Sequence, residues 1–288
     1  MIYTLFIGAK NMSQTENPLV GYFRKPEVFI ELPSGGQYYP PGTLDLPPTG
    51  EIGIFPMTAR DELLMRTPDA LLNGTTTAEV IRSCVPAIKD PWAVPSLDVD
   101  ALLIGIRIAT YGDEMEISSN CPECKSENTF AVNLGALVDQ FGGWTYEEEL
   151  AIDDLVIYFK PLSYHEMNTE NLRQFEENKI MRLVNDDALD DEAKQAAFND
   201  AFLKLTVHTV GIIGKTIYKI DSPNGSTDNP QYIDEFIRNA STKIFNAIQD
   251  HLEKQKEQNS FQDMKGKCTE CEHEYTAPIM FDNSNFFA

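Results

Sequence analysis

The chain is short of positive charge. Its 288 residues hold 23 Lys and Arg against 45 Asp and Glu, a formal net charge of −22. Such an excess opposes sequence-independent binding to nucleic acid or anionic membrane, because both are themselves negative. It favours solubility and basic partner surfaces, although a solvated acidic exterior with no partner has the same composition. Long hydrophobic runs are missing too: nowhere do ~20 apolar residues follow one another, as a membrane-spanning helix requires. The short apolar stretch from Ile2 to Ile7 has no basic segment before it, unlike a secretory signal. Met12, followed by Ser13-Gln14-Thr15-Glu16-Asn17, reads as a polar natural start, so residues 1–11 are expected to come from an upstream start codon. A soluble chain made in a reducing cytoplasm is the expectation.

Catalytic signatures are lacking. There is no phosphate loop, no dinucleotide glycine fingerprint, no Gly-x-Ser-x-Gly and no His-Glu-x-x-His. His165, His208 and His251 stand alone on helical stretches and read as surface or core-edge residues. Many carboxylates could pair, but no spacing selects two. Neither an enzyme nor a small-molecule substrate is expected.

Cysteine is sparse, yet its placement is informative. Four of the five cysteines form two close pairs, Cys121-Pro122-Glu123-Cys124 and Cys268-Thr269-Glu270-Cys271. In a reducing compartment such pairs fit metal binding better than disulfides. Two residues between thiolates let the backbone curl so that both sulfurs face one site. Two such loops together supply the tetrahedral four-sulfur shell that zinc prefers. Strand-like flanks surround each pair: Met115-Glu116-Ile117 and Phe130-Ala131-Val132 for the first, Tyr275 and Ile279-Met280-Phe281 for the second. That is the pattern of a zinc ribbon, with one departure. Residues 125–267 separate the knuckles, where an ordinary ribbon has roughly 15–20 residues. One shared structural zinc with Cys121, Cys124, Cys268 and Cys271 as its ligands is the reading adopted, and four cysteines leave no open position for catalysis. Alternatives are a redox dithiol or two half-sites used in oligomerisation. His273 could replace a thiolate but is not needed, and Cys84 reads as a core thiol.

The spacing predicts an α+β fold, mainly helical, with an N-terminal β arm and a split zinc ribbon formed by the two distant knuckles. Five segments follow. Residues 1–27 are a tail and 28–57 a β arm with strands Val28–Leu32 and Glu51–Phe55 around a Pro/Gly-rich connection. The arm could add a strand to another subunit or fold as a hairpin onto its own domain. Residues 58–135 are a helical core plus the first knuckle, 136–262 a helical insertion, and 263–288 the second knuckle and a C-terminal tail. Helix starts are expected at Thr58 with Asp61, at Thr67-Pro68, at Thr76 with Glu79, at Ser163 with Glu166 and at Asn229-Pro230. The stretch Asp98–Thr110 is apolar almost all round and should be a central helix. Arg107 on it should snorkel or pair, within the chain or across a subunit boundary. Two helices on either side of Asp186-Asp187 should form an antiparallel pair. Gly35-Gly36-Gln37-Tyr38-Tyr39 and Asn285-Phe286-Phe287-Ala288 are candidate contact elements.

Several blocks carry a resemblance. Met57-Thr58-Ala59-Arg60-Asp61-Glu62, Pro68–Gly74, Ile81-Arg82-Ser83-Cys84-Val85-Pro86, Asp90-Pro91-Trp92, Asp98–Ile104 and Ala109-Thr110-Tyr111-Gly112 precede the Cys121 knuckle. With the ending Phe281-Asp282-Asn283-Ser284-Asn285-Phe286-Phe287, the chain resembles the T4-like phage baseplate protein family of contractile-tailed phages. The resemblance is carried by about residues 28–135 and the last twenty positions. It implies a structural or assembly component of the baseplate, in the hub region, without enzymatic activity. Its partners would be other baseplate and tail proteins, and its location the virion tail, after assembly in the host cytoplasm. Two further readings stay open: an assembly chaperone absent from the finished particle, and a zinc-ribbon adaptor that captures host transcription machinery.

Overall fold

A computed structural model describes residues 17, 19–65, 74–173, 209–277 and 279. The helices expected at Thr67-Pro68 and around Asp186-Asp187, and the tail from Met280 to Ala288, lie outside the described residues. The fold is α+β, built around two hydrophobic centres.

The first centre forms around α3 (Ser96–Tyr111), the helix expected to be central. Val99, Ala101, Leu102, Ile104 and Ile106 are all buried, so the helix is covered on several sides. The hairpin β1 (Val28–Glu31) and β2 (Glu51–Ile54) lies against it, with Val28 opposite Ile54 and Ile30 opposite Ile52. Alternation of side chains turns Ile30, Ile52 and Ile54 inward. Gly105 permits the close approach, because a Cβ there would overlap Ile54 Cδ1. The long connection between the strands is pinned to the same helix. Ser34 N and Oγ donate to the buried Asp98 carboxylate at 2.7 and 2.5 Å. Residues 35–39 are also engaged by the chain itself: Tyr38 donates to Glu148 Oε1 at 2.5 Å and Tyr39 packs on the core. Arg107, near the exit of α3, has its guanidinium 4.8 Å over the ring of Tyr111.

Helix α1 (Ala59–Met65) begins with a reciprocal cap, in which Thr58 N donates to Asp61 Oδ2 and Asp61 N donates to Thr58 Oγ1. Helix α2 (Thr75–Cys84) starts differently from the expectation at Thr76. Its cap is Gly74, in the left-handed region at φ 71°, and Thr76 is buried inside the first turn. Asn168 and Tyr164 crowd position 74 so closely that a side chain would collide with them. Glycine therefore takes the cap position, and long-range packing overrides the local capping pattern.

After α3, the antiparallel pair β3 (Glu114–Asn120) and β4 (Glu127–Asn133) carries the first knuckle at its tip. Helix α4 (Leu134–Gln140) follows, capped by Asn133 Oδ1 accepting from Ala136 N at 2.9 Å.

The segment 136–262, expected to be helical, holds a four-stranded antiparallel sheet. Its order is β5 (Glu149–Ile152), β6 (Leu155–Phe159), β7 (Ile217–Ser222), β8 (Gly225–Thr227). Only β6 has an apolar run long enough to read as a strand alone; the others are short and become strands by pairing. Between β6 and β7 the expected cap is present. Ser163 N donates to Glu166 Oε2 at 2.8 Å and Glu166 N donates to Ser163 Oγ at 3.2 Å, opening a helix that is described over 164–173. Ile157, Phe159, Ile217 and Ile220 pack on Ile233 and Ile237 of α5 (Pro230–Asn239) and Ile248 of α6 (Thr242–Gln258). This is the second centre. Asn229 caps α5, as its Asn-Pro sequence predicts, and Ser241 starts α6 afresh.

The far half of α6 returns the chain to the first centre. His251 Nε2–H and Gln255 Nε2 donate to the same acceptor, Glu147 O, at 3.0 and 2.6 Å. Asn259 and Thr145 exchange two hydrogen bonds. Phe141, Trp144 and Phe261 then meet edge to face or tilted, with centroids 4.6–5.4 Å apart. This aromatic trio sets residue 261 beside α4. The next strands, β9 (Met264–Lys267) and β10 (Glu274–Ala277), therefore form next to β3 and β4. Among the described residues no helix is long and apolar enough to cross a membrane.

Candidate metal centre

Two hairpins of the same design meet here. In the first, Asn120 pairs with Glu127; in the second, Lys267 pairs with Glu274. Both loops between them turn in the same way. Cys121 N donates to Ser126 O at 2.9 Å and Lys125 N to Cys121 O at 3.0 Å. Cys268 N donates to His273 O at 2.9 Å and Glu272 N to Cys268 O at 3.1 Å. Lys125 and Glu272, one residue past each second cysteine, both adopt positive φ, 63° and 59°. Each loop thereby curls until its two sulfurs face the same way.

The four cysteines named from the sequence come together. All four sulfurs lie within 4.8 Å of one another. Across the two loops, Cys121 Sγ is 3.7 Å from Cys271 Sγ, and Cys124 Sγ is 3.6 Å from Cys268 Sγ. A disulfide requires about 2.05 Å, so these are not bonded pairs. A tetrahedron of sulfurs about 2.3 Å from a central ion has edges of about 3.8 Å. The donor set and its spacing fit a metal ion. Cys121 and Cys268 are buried, whereas Cys124 and Cys271 are exposed, so the cluster sits at the rim of the fold.

Hydrogen bonds favour charge on two of these sulfurs, those of Cys268 and Cys124. The Ser126 hydroxyl, followed by the backbone N–H of Cys271, holds the Cys268 thiol down at about 5. Ser126 also lowers Cys124, whose sulfur is 2.9 Å from its hydroxyl. At Cys271 the backbone contact with His273 pulls down, but its sulfur neighbours, Cys124 first, outweigh it and push the thiol up to about 12. Adjacent thiolates repel, and a cation among them removes that conflict.

His273 offers its carbonyl to Cys268, and its ring lies alongside Tyr275 at 6.5 Å. Among the described residues, the cluster that could hold a metal ion consists of the four cysteines. Cys84 is elsewhere, buried beside Arg24, with its thiol pushed up to about 11 by burial. His165 packs edge-on against Trp92, and His208 lies outside the described residues.

Sequence reasoning missed the residues that hold the hairpins together. Asn128 is buried between them and bonds to Thr269. Phe130 covers Gly266 and meets Tyr275 edge-on, centroids 6.1 Å apart. A glycine facing an aromatic in an otherwise polar strand is the signal that was available.

No curated protein and no solved structure matches the chain. A family model, described as T4 bacteriophage base plate protein, matches residues 25–288 and spans both knuckles and everything between them. The chain belongs to the T4 bacteriophage base plate protein family.

Proposed function

We propose that this chain is a structural component of a contractile phage tail baseplate, in the hub region, and that a single structural zinc held by Cys121, Cys124, Cys268 and Cys271 locks its C-terminal hairpin against its middle. The observation that carries the zinc is the pair of cross-loop sulfur distances, 3.7 and 3.6 Å, in an all-cysteine set. Zinc takes four thiolates without redox chemistry, and a closed shell leaves no position for a reacting water. The ion would close the long loop from 125 to 267, which supports rigidity and not turnover.

Family membership supports action through contacts with other tail proteins. The net charge of −22 favours neighbours with basic surfaces. Tyr22, Phe23 and Phe29 are exposed aromatics at the N-terminal side and are the contact elements we favour.

Two measurements test the reading. Elemental analysis of the reduced, purified chain should find one zinc per chain; none would overturn the metal assignment. Mass spectrometry of purified virions should find the chain. Its absence there, with normal tails built only in its presence, would assign it instead to assembly. Specific co-purification with host polymerase would favour the adaptor role.

A further inference from the structure

The two knuckle hairpins are near-copies, so residues at equal distance from each first cysteine can be compared. Ser126 corresponds to His273, and Asn128 to Tyr275. Each hairpin sends the second of these across to the other. Tyr275 reaches the first hairpin, with its ring against Phe130 and its hydroxyl 3.4 Å from Ser119 O. Asn128 reaches the opposite way. Its Oδ1 accepts from Thr269 N at 2.8 Å and from Thr269 Oγ1 at 3.1 Å. Its Nδ2 donates to Ser126 O at 3.1 Å and lies 3.6 Å from Cys268 Sγ. Residue 128 is 3% exposed. Reversing the amide would face its oxygen to a carbonyl and its nitrogen to an N–H, so the partners decide the orientation.

The repeat breaks where backbone chemistry differs. Thr269 carries an N–H that needs an acceptor. The matching residue of the first knuckle is Pro122, which has no N–H, and Tyr275, the counterpart of Asn128, reaches Phe130 and Ser119 O instead. Asn128 therefore satisfies both ends of a buried amide on two separate loops, and each of those bonds runs from protein to protein.

We propose that Asn128 is a positioning residue that docks the second knuckle on the first before any metal arrives, so that the four-sulfur site is preorganised and its metal affinity depends on this amide. The inference rests on the zinc reading above. The ion then binds sulfurs that are already in place and does not have to order the C-terminal hairpin itself. Ser126, which contacts both Cys124 and Cys268, is carried by the same amide through its carbonyl.

The test uses the full chain, stripped of metal under reducing conditions, with zinc titrated against a chromophoric chelator and amide exchange followed in the metal-free state. The Thr269 amide should be protected without metal in the parent. Asn128→Ala should expose it and weaken zinc binding by about 10–100-fold, the range for a group that orients ligands, while zinc uptake stays stoichiometric. Asn128→Asp keeps an oxygen for Thr269 but loses the donor to Cys268 and adds negative charge. It should keep the amide protected and stay within about tenfold of the parental zinc affinity; a protected amide with a larger loss would show that docking does not set the affinity, even should the alanine variant not fold. An unprotected Thr269 amide in the metal-free parent, or parental zinc affinity in Asn128→Ala, overturns the proposal alone. A parent chain that takes up no zinc overturns the metal reading as well.

Discussion

Gly266 lies directly under the ring of Phe130: a Cβ on residue 266 would sit 2.5 Å from Cε1 and Cζ of that ring. The contact joins β9 to β4, and so joins the C-terminal hairpin to the hairpin of the first knuckle. Gly266→Ala should force the ring aside and cost about 1–3 kcal/mol, as overpacking does. Chemical denaturation should show the loss, and zinc should be released faster to a chelator. Parental release would mean the face is free to spread.

Each cysteine of the cluster should matter to stability as well as to metal content. Cys268→Ser should reduce zinc uptake and lower stability by about 2–4 kcal/mol, comparable to losing a cross-link over a long loop. Thermal melts with and without chelator measure this. A parent whose melt ignores the chelator would show that the ion does not close the loop.

Asp98 should make stability depend on pH in an unusual direction. Burial pushes its carboxyl up to about 6 from the usual 3.8, against the hydrogen bonds from Ser34 that pull it down. The folded state therefore holds the proton more tightly than the unfolded chain. The contribution of this group is fully present below the ordinary value and is lost as pH rises through about 6, a change on the order of 3 kcal/mol. Asp98→Asn should remove that slope while still bonding Ser34. Urea midpoints between pH 4 and 7, parent against variant, should converge at the acid end; parallel curves would rule the effect out.

Arg24 should be sensitive to a conservative change. Its guanidinium donates to Pro56 O at 2.7 Å, to Ser83 O at 2.7 Å and to Ser83 Oγ at 2.9 Å, and lies 3.6 Å from the buried Asp61. Arg24→Ala should cost about 2–3 kcal/mol, since Asp61 loses its cation. Arg24→Lys should recover less than half, because one ammonium cannot span the fork. Denaturation midpoints decide, and full recovery by lysine would reduce the role to charge alone.

Much of this molecule is written locally. The apolar run of α3, the alternating strands at 28–31 and 51–54, and the caps at Thr58, Ser163 and Asn229 each depend on residues within a turn or two of one another. The Cys-x-x-Cys spacing belongs to the same class, because two residues suffice to bring a pair of sulfurs round. Tertiary structure decided the rest. That Gly74 caps α2 in place of Thr76 follows from Tyr164 and Asn168 pressing on it. Strand β7 exists as the partner of β6 although residues 160–216 separate them, and no periodicity in either announces the other. The knuckles meet because the Phe141–Trp144–Phe261 trio and the Glu147 contacts of α6 fold the intervening chain back on itself. Local patterns report dihedral preference and which face is apolar; the choice between distant partners depends on surfaces that exist only once the chain has closed.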